Sequence, residues 1–212
     1  MPSLEGGGTH VPLAVARATE GARMANPHIQ RETIEQEIRA ALATTLRKDA
    51  GDIALDASIM KDLGATSIDF LDVNFRLEGA FGIQLATQLL LDHVEEELGD
   101  GSAVDAQDQI TPAAAKLLQM HLGEVPGLEA GIFLEEVPTF VTPMVLVKSV
   151  EGITDALPEA CTHCGAAAWK SDDGKKVVCD GCGKPAVYPD GDTLTKAWIN
   201  DFEREHRLFG GT

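Results

Sequence analysis

The sequence predicts a mainly α protein: a helical bundle, then a small β element built around paired cysteines, then a closing helix. Three observations carry this expectation. Apolar residues recur at helical spacing in several stretches between Thr33 and His121, four cysteines form two Cys-x-x-Cys pairs within residues 161–182, and an apolar face returns over Thr193–Leu208. The 212 residues are 44% hydrophobic and 24% charged, which suffices for a core, and with aromatics at only 5% that core rests on Leu, Ile, Val and Ala. Charge is the outlying property: 17 Lys plus Arg against 34 Asp plus Glu give −17. Such a surface repels nucleic-acid phosphates and anionic lipid headgroups, and its natural complement is a basic protein surface. No apolar run approaches the ~20 residues of a membrane span, and the N-terminus lacks the basic start and apolar run of a signal peptide. A cytoplasmic location is the resulting expectation.

Residues 1–29 hold Gly6-Gly7-Gly8 and no sustained periodicity, and read as a flexible leader in which Met24 is a second candidate start. From Thr33, the residues Ile34, Ile38, Leu42 and Leu46 mark a first amphipathic helix, with Gln36 placed as in a capping box and Gly51 beyond the end. A loop with Asp52, Asp56 and Ser58 leads to a second helix from Ser67 to about Glu78, where Gly79 and Gly82 interrupt the pattern. Further helices are predicted over Thr87–Leu98 and Pro112–His121, the latter with Thr111 as N-cap and Pro112 in the first helical position. Residues 30–122 thus form the bundle. Residues 123–157, where Pro126, Pro138 and Pro143 flank Val145-Leu146-Val147, read as a connector with one or two short strands. Residues 158–212 hold the cysteine pairs and a final helix whose face is marked by Leu194, Ala197, Trp198, Phe202 and Leu208.

The most informative stretch begins at Asp62-Leu63-Gly64 and continues through Thr66-Ser67-Ile68-Asp69. Thr66 is placed to cap the second helix and to leave the Ser67 hydroxyl in its first turn, where free N–H groups and the helix dipole favour a phosphate. Two apolar stripes follow. Phe70, Val73 and Leu77 suit a core, whereas Ile68, Leu71 and Phe75, rimmed by Asp69, Asp72 and Glu78, exceed what a surface helix buries and suit a partner. The bland alternative is a capping serine with both stripes in the core.

Asp62-Leu63-Gly64, Ser67-Ile68-Asp69 and the acidic helix ending in Phe81-Gly82-Ile83 resemble the acyl carrier protein signature, over roughly residues 30–122. The resemblance implies a four-helix carrier bundle in which Ser67 receives 4′-phosphopantetheine from a phosphopantetheinyl transferase, whose arm then holds acyl groups as thioesters. It further implies that Ile68, Asp69, Leu71, Asp72, Phe75 and Glu78 are read by partners: acyl-activating, ketosynthase or acyltransferase enzymes with basic docking surfaces. Fatty-acid, specialised lipid or polyketide synthesis is the expected setting, and the chain itself is expected to be no enzyme. Thr66 in place of the usual Asp and Arg76 on the recognition helix depart from the family pattern.

Cys161, Cys164, Cys179 and Cys182 form two Cys-x-x-Cys-Gly knuckles separated by Gly165–Val178, with a turn near Asp172-Asp173-Gly174. This resembles a zinc ribbon, a closed four-thiolate site that serves structure rather than catalysis; iron is the alternative metal and thiol redox chemistry the alternative use. Lys170, Lys175, Lys176 and Lys184 could solubilise the hairpin, contact RNA, or cradle the acidic domain of the same chain. His93, His121 and His206 stand apart from any Ser/Asp or Cys/Asp set, so no catalytic residue is predicted. The competing functional reading is an unmodified adaptor or regulatory module in which the ribbon binds protein or nucleic acid.

Overall fold

The computed structural model describes residues 26–123 and 125–210. The leader before residue 26, including Met24, lies outside the described residues. Six α-helices appear among those described: α1 (Arg31–Leu46), α2 (Ser67–Phe81), α3 (Leu90–Leu98), α4 (Pro112–Leu122), α5 (Pro143–Thr154) and α6 (Gly191–His206). A two-stranded antiparallel sheet, β1 (Trp169–Lys170) and β2 (Val178–Cys179), pairs Trp169 with Cys179 and Lys170 with Val178. Short 3₁₀ segments occupy Ala50–Asp52 and Leu134–Phe140. The mainly helical class with a small cysteine-bearing sheet is therefore the observed one, and no helix among the described residues is long and apolar enough to cross a membrane.

The periodic residues do what their spacing requires. Ile34, Ile38 and Leu42 of α1 are buried, and so are Phe70, Val73, Leu77 and Phe81 of α2. Two ends differ from expectation: α1 starts at Arg31 with Gln30 as an N-cap that offers no side-chain bond, and α2 runs through Gly79 to Gly82, whose left-handed φ of 68° closes it. In α4, Thr111 accepts from the Ala114 N–H and Pro112 opens the helix as predicted. The face of α6 is built from Leu194, Thr195, Ile199 and Phe202, while Ala197 is exposed.

The larger correction concerns residues 123–157. Val145-Leu146-Val147 is not a strand but the buried heart of α5, with Val150 and Ile153 completing the face. Burial of this face against α1 outweighs the small helix penalty of β-branched residues. Pro143 opens the helix at its first position, where a missing N–H costs nothing. α1 packs against both α2 and α5, so α5 belongs to the same packing unit as α1 and α2. The loop leading to Ser67 is tied to the stretch that runs from the 3₁₀ segment into the first turn of α5. Ile59 N–H donates to the Val141 carbonyl (2.9 Å), Met144 N–H to the Leu55 carbonyl (2.9 Å), and Ser58 Oγ to the Thr139 carbonyl (2.6 Å).

The second packing unit pairs α3 with α6. Trp198 of α6 stacks at 5.0 Å on His121 of α4 and at 5.1 Å on Phe202, which in turn lies 4.4 Å from His206. Two of the histidines that looked isolated in the sequence are thus members of one aromatic row.

Candidate functional site

The turn before α2 is assembled by local chemistry. Asp62 accepts the Ser58 N–H at 2.8 Å, Leu63 enters the core, and Gly64 takes φ 76°, which a side chain disfavours. Thr66 then caps α2 in a reciprocal box: its N–H and its hydroxyl each donate to Asp69 Oδ2 at 2.7 Å, and the Asp69 N–H returns to Thr66 Oγ1. Ser67 is the first residue of α2. Its side chain is half-buried and makes no hydrogen bond among the described residues, and helix geometry leaves the first N–H groups without intrahelical partners. A free hydroxyl therefore sits at the positive end of a fifteen-residue helix.

The second apolar stripe lies beside it and is uncovered. Ile68 is 75% exposed, Leu71 56% and Phe75 75%. The acids around it are held by the chain itself. Asp69 serves the cap, and the Thr66 hydroxyl and N–H hold its carboxyl below the usual range. Asp72 accepts the Thr45 hydroxyl at 2.6 Å and pairs with Arg76 at 2.8 Å, and the Thr45 bond first, then Arg76, keeps it ionised to lower pH. Glu78 Oε1 accepts the Leu85 N–H at 2.9 Å. Thr45 and the Leu85 amide were invisible to motif reading, since nothing in the local pattern marks either as a partner.

The four cysteines converge. Their sulfur atoms all lie within 4.8 Å of one another, with Cys161 to Cys182 at 3.7 Å and Cys164 to Cys179 at 3.6 Å. These separations are far beyond an S–S bond of about 2.05 Å. They match the edge of about 3.8 Å expected when four sulfurs surround a metal tetrahedrally at about 2.3 Å. The two knuckles are built alike: Gly165 N–H donates to the Cys161 carbonyl and Gly183 N–H to the Cys179 carbonyl, both at 2.8 Å, with left-handed φ of 75° and 70°. Gly181 fits because a Cβ there would crowd Ala166 at 3.2 Å. Backbone N–H of His163, then of Cys164, lowers the Cys161 thiol to about 7. The His163 side chain is exposed. The donor set thus fits a metal ion with tetrahedral sulfur preference.

The lysines divide. Lys170 pairs with Asp180 at 3.0 Å, while Lys175 reaches Glu37 on α1 at 2.5 Å, and a Cβ added to Gly174 at the hairpin tip would come within 3.8 Å of the Thr33 hydroxyl. A cluster that the sequence did not suggest joins α3 to α6. Asp192 Oδ1 lies 2.9 Å from Nε2 of the fully buried His93, and the same carboxylate accepts from the N–H groups of Thr87 and Gln88 and from the Thr87 hydroxyl. Roughly a hundred residues separate the partners, so no local pattern could have found it.

Residues 36–97 match the family described as phosphopantetheine attachment site. Curated relatives include the acyl carrier protein of Helicobacter acinonychis (strain Sheeba), 38% identical over 50 residues, which is 24% of this chain and 64% of the relative. The acyl carrier proteins of Helicobacter pylori strains G27 and HPAG1 are 36% identical over the same shares. The chain thus spans 64% of the length of these relatives, a little under two thirds. No solved structure matches it significantly. Residues 36–97 are thus a segment that matches the phosphopantetheine attachment site family and is similar to acyl carrier proteins, and a cysteine cluster that fits a zinc-ribbon-like segment lies beyond it.

Proposed function

We propose that this chain, with its acyl-carrier-like segment at residues 36–97, is a non-catalytic carrier that bears 4′-phosphopantetheine on Ser67. The observation that carries the reading is the unpartnered Ser67 hydroxyl at the start of a capped helix, beside an exposed apolar stripe. A phosphodiester there meets free N–H groups and the helix dipole. When attached, the arm supplies a terminal thiol that holds an acyl group as a thioester. Ile68, Leu71 and Phe75 form the contact patch for the transferase and for the enzymes that load and unload the arm, with Asp69, Asp72 and Glu78 adding negative potential that steers basic partner faces. Acyl-activating enzymes, ketosynthases and acyltransferases of fatty-acid, specialised lipid or polyketide synthesis, working in the cytoplasm, are the matching partner classes. Cys161, Cys164, Cys179 and Cys182 hold zinc in a closed structural site.

The test is intact-mass measurement after incubation with coenzyme A and a broad-specificity phosphopantetheinyl transferase. One phosphopantetheine adduct on the wild type and none on Ser67→Ala is the expected result. Absence of the adduct from wild type, or its persistence in the variant, overturns the reading.

A further inference from the structure

The ribbon is held between two helices of the rest of the molecule. Its hairpin is tied to α1 through the Lys175–Glu37 ion pair, and the tip passes near Thr33, which a Cβ on Gly174 would approach to 3.8 Å. Its other side feeds α6. After Cys182 the chain stays paired with the β2 region, with Cys179 N–H to the Lys184 carbonyl and Ala186 N–H to the Val177 carbonyl, so only Val187 to Asp190 intervene before α6. The cysteine centre and the start of α6 are therefore joined by a tether of only four residues, in addition to the packing of α6 on α3.

The first turn of α6 grips the segment that follows α2. Gly191 N–H donates to the Gln84 carbonyl at 2.9 Å, in an approach so close that a Cβ on Gly191 would fall 2.2 Å from the Ala86 nitrogen. One residue on, Asp192 collects Thr87, Gln88 and buried His93. The gripped segment leads directly into Leu89, Leu90 and Leu91. Together with Leu134, Val137 and Pro138 these line a small apolar cavity of about 10 Å³, and a space of that size holds about one water at most.

We propose that the four-cysteine centre and Asp192 act as a metal-dependent latch: with metal bound, the ribbon fixes α6, Asp192 pins residues 87–93, and Leu89–Leu91 stay closed on Leu134–Pro138. A two-stranded ribbon buries little apolar surface of its own, so its fold depends on the ion. Loss of the ion frees the tether, α6 loses its fixed position, and α3 opens while α1, α2 and α5 keep their own mutual packing. The latch rests on the metal-centre reading above and is independent of modification at Ser67.

Hydrogen exchange on the full chain, metal-loaded and after chelation, tests it, with metal content measured in parallel. Chelation is expected to accelerate exchange of residues 84–98 by about tenfold or more while Phe70–Leu77 of α2 stays protected. In metal-loaded protein, Asp192→Asn and Gly191→Ala are expected to raise exchange in the same residues with the metal retained. Metal-bound protein whose residues 84–98 are unaffected by chelation overturns the latch alone. Equal loss of protection throughout α1, α2 and α5 also overturns it, because the ion then supports the whole fold. Failure to bind any metal overturns the metal-centre reading, and the latch with it.

Discussion

Thr66 and Asp69 together set the start of the helix that presents Ser67. Thr66→Ala should cost about 1 kcal/mol in chemical denaturation, the usual value of a lost N-cap. The Asp69 carboxyl is held below its ordinary value by bonds from Thr66, so its contribution is complete at neutral pH and is lost as the pH falls through that lowered value. The advantage of the wild type over Thr66→Ala should therefore begin to shrink as the pH falls below about 4, where free aspartate titrates, leaving the part due to the bond that Thr66 Oγ1 accepts from the Asp69 N–H, and an unchanged difference down to pH 2 would count against the box. The two stripes of α2 give a second residue-scale contrast. Phe70→Ala, in the core, should cost about 3–5 kcal/mol. Phe75→Ser, at an exposed position, should shift stability by no more than about 0.5 kcal/mol while lowering transferase kcat/KM. At this scale the sequence was most legible. A serine before an acidic helix and cysteines at fixed spacing act through local geometry, which motif spacing records. The commitments of Asp72 to Thr45 and of Glu78 to the Leu85 amide depend on how α1 and the loop after α2 fold back, and spacing does not record that.

At the scale of elements, periodicity located α1, α2, α4 and α6 to within a few residues, because each has one buried face and a polar remainder. It failed for α5. A helix buried along most of its length shows no polar alternation, and Val145-Leu146-Val147 between prolines has the texture of a strand. The two readings have different consequences. If α5 completes the packing around α1, Ile153→Ala should destabilise the whole cooperative unit that contains Ser67, by about 2–5 kcal/mol in denaturant unfolding. A peripheral connector would leave the main transition unmoved. The tie from Ser58, Ile59 and Leu55 to residues 139–144 should pass the effect of such a substitution to the site, since the loop before Ser67 is anchored on the segment entering this helix.

For the whole molecule, the excess of acid has acquired an internal role as well as an external one. Residues 30–99 hold 14 acids against 6 bases, yet Glu37 meets the ribbon's Lys175, Glu96 meets Lys196 and Glu97 meets Asn200 of α6. Part of the charge that suggested basic partner proteins is answered by the C-terminal part of the same chain. That long-range closure was the least legible feature, because contacts such as Asp192 to His93 join residues with no shared motif. The composition and the two motifs foretold a helical carrier-like unit and a sulfur site; that the second is fastened to the first was only one of several roles open to the ribbon lysines, and Lys175–Glu37 realises it. The central claim concerns one oxygen atom, in a turn that also contains Ser58 and Thr66. It is tested most directly by fragmenting the peptide that spans these residues after transferase treatment and locating the phosphopantetheine group by mass. The account predicts the whole adduct on Ser67, and an adduct on Ser58 or Thr66, or none on this peptide, would contradict it.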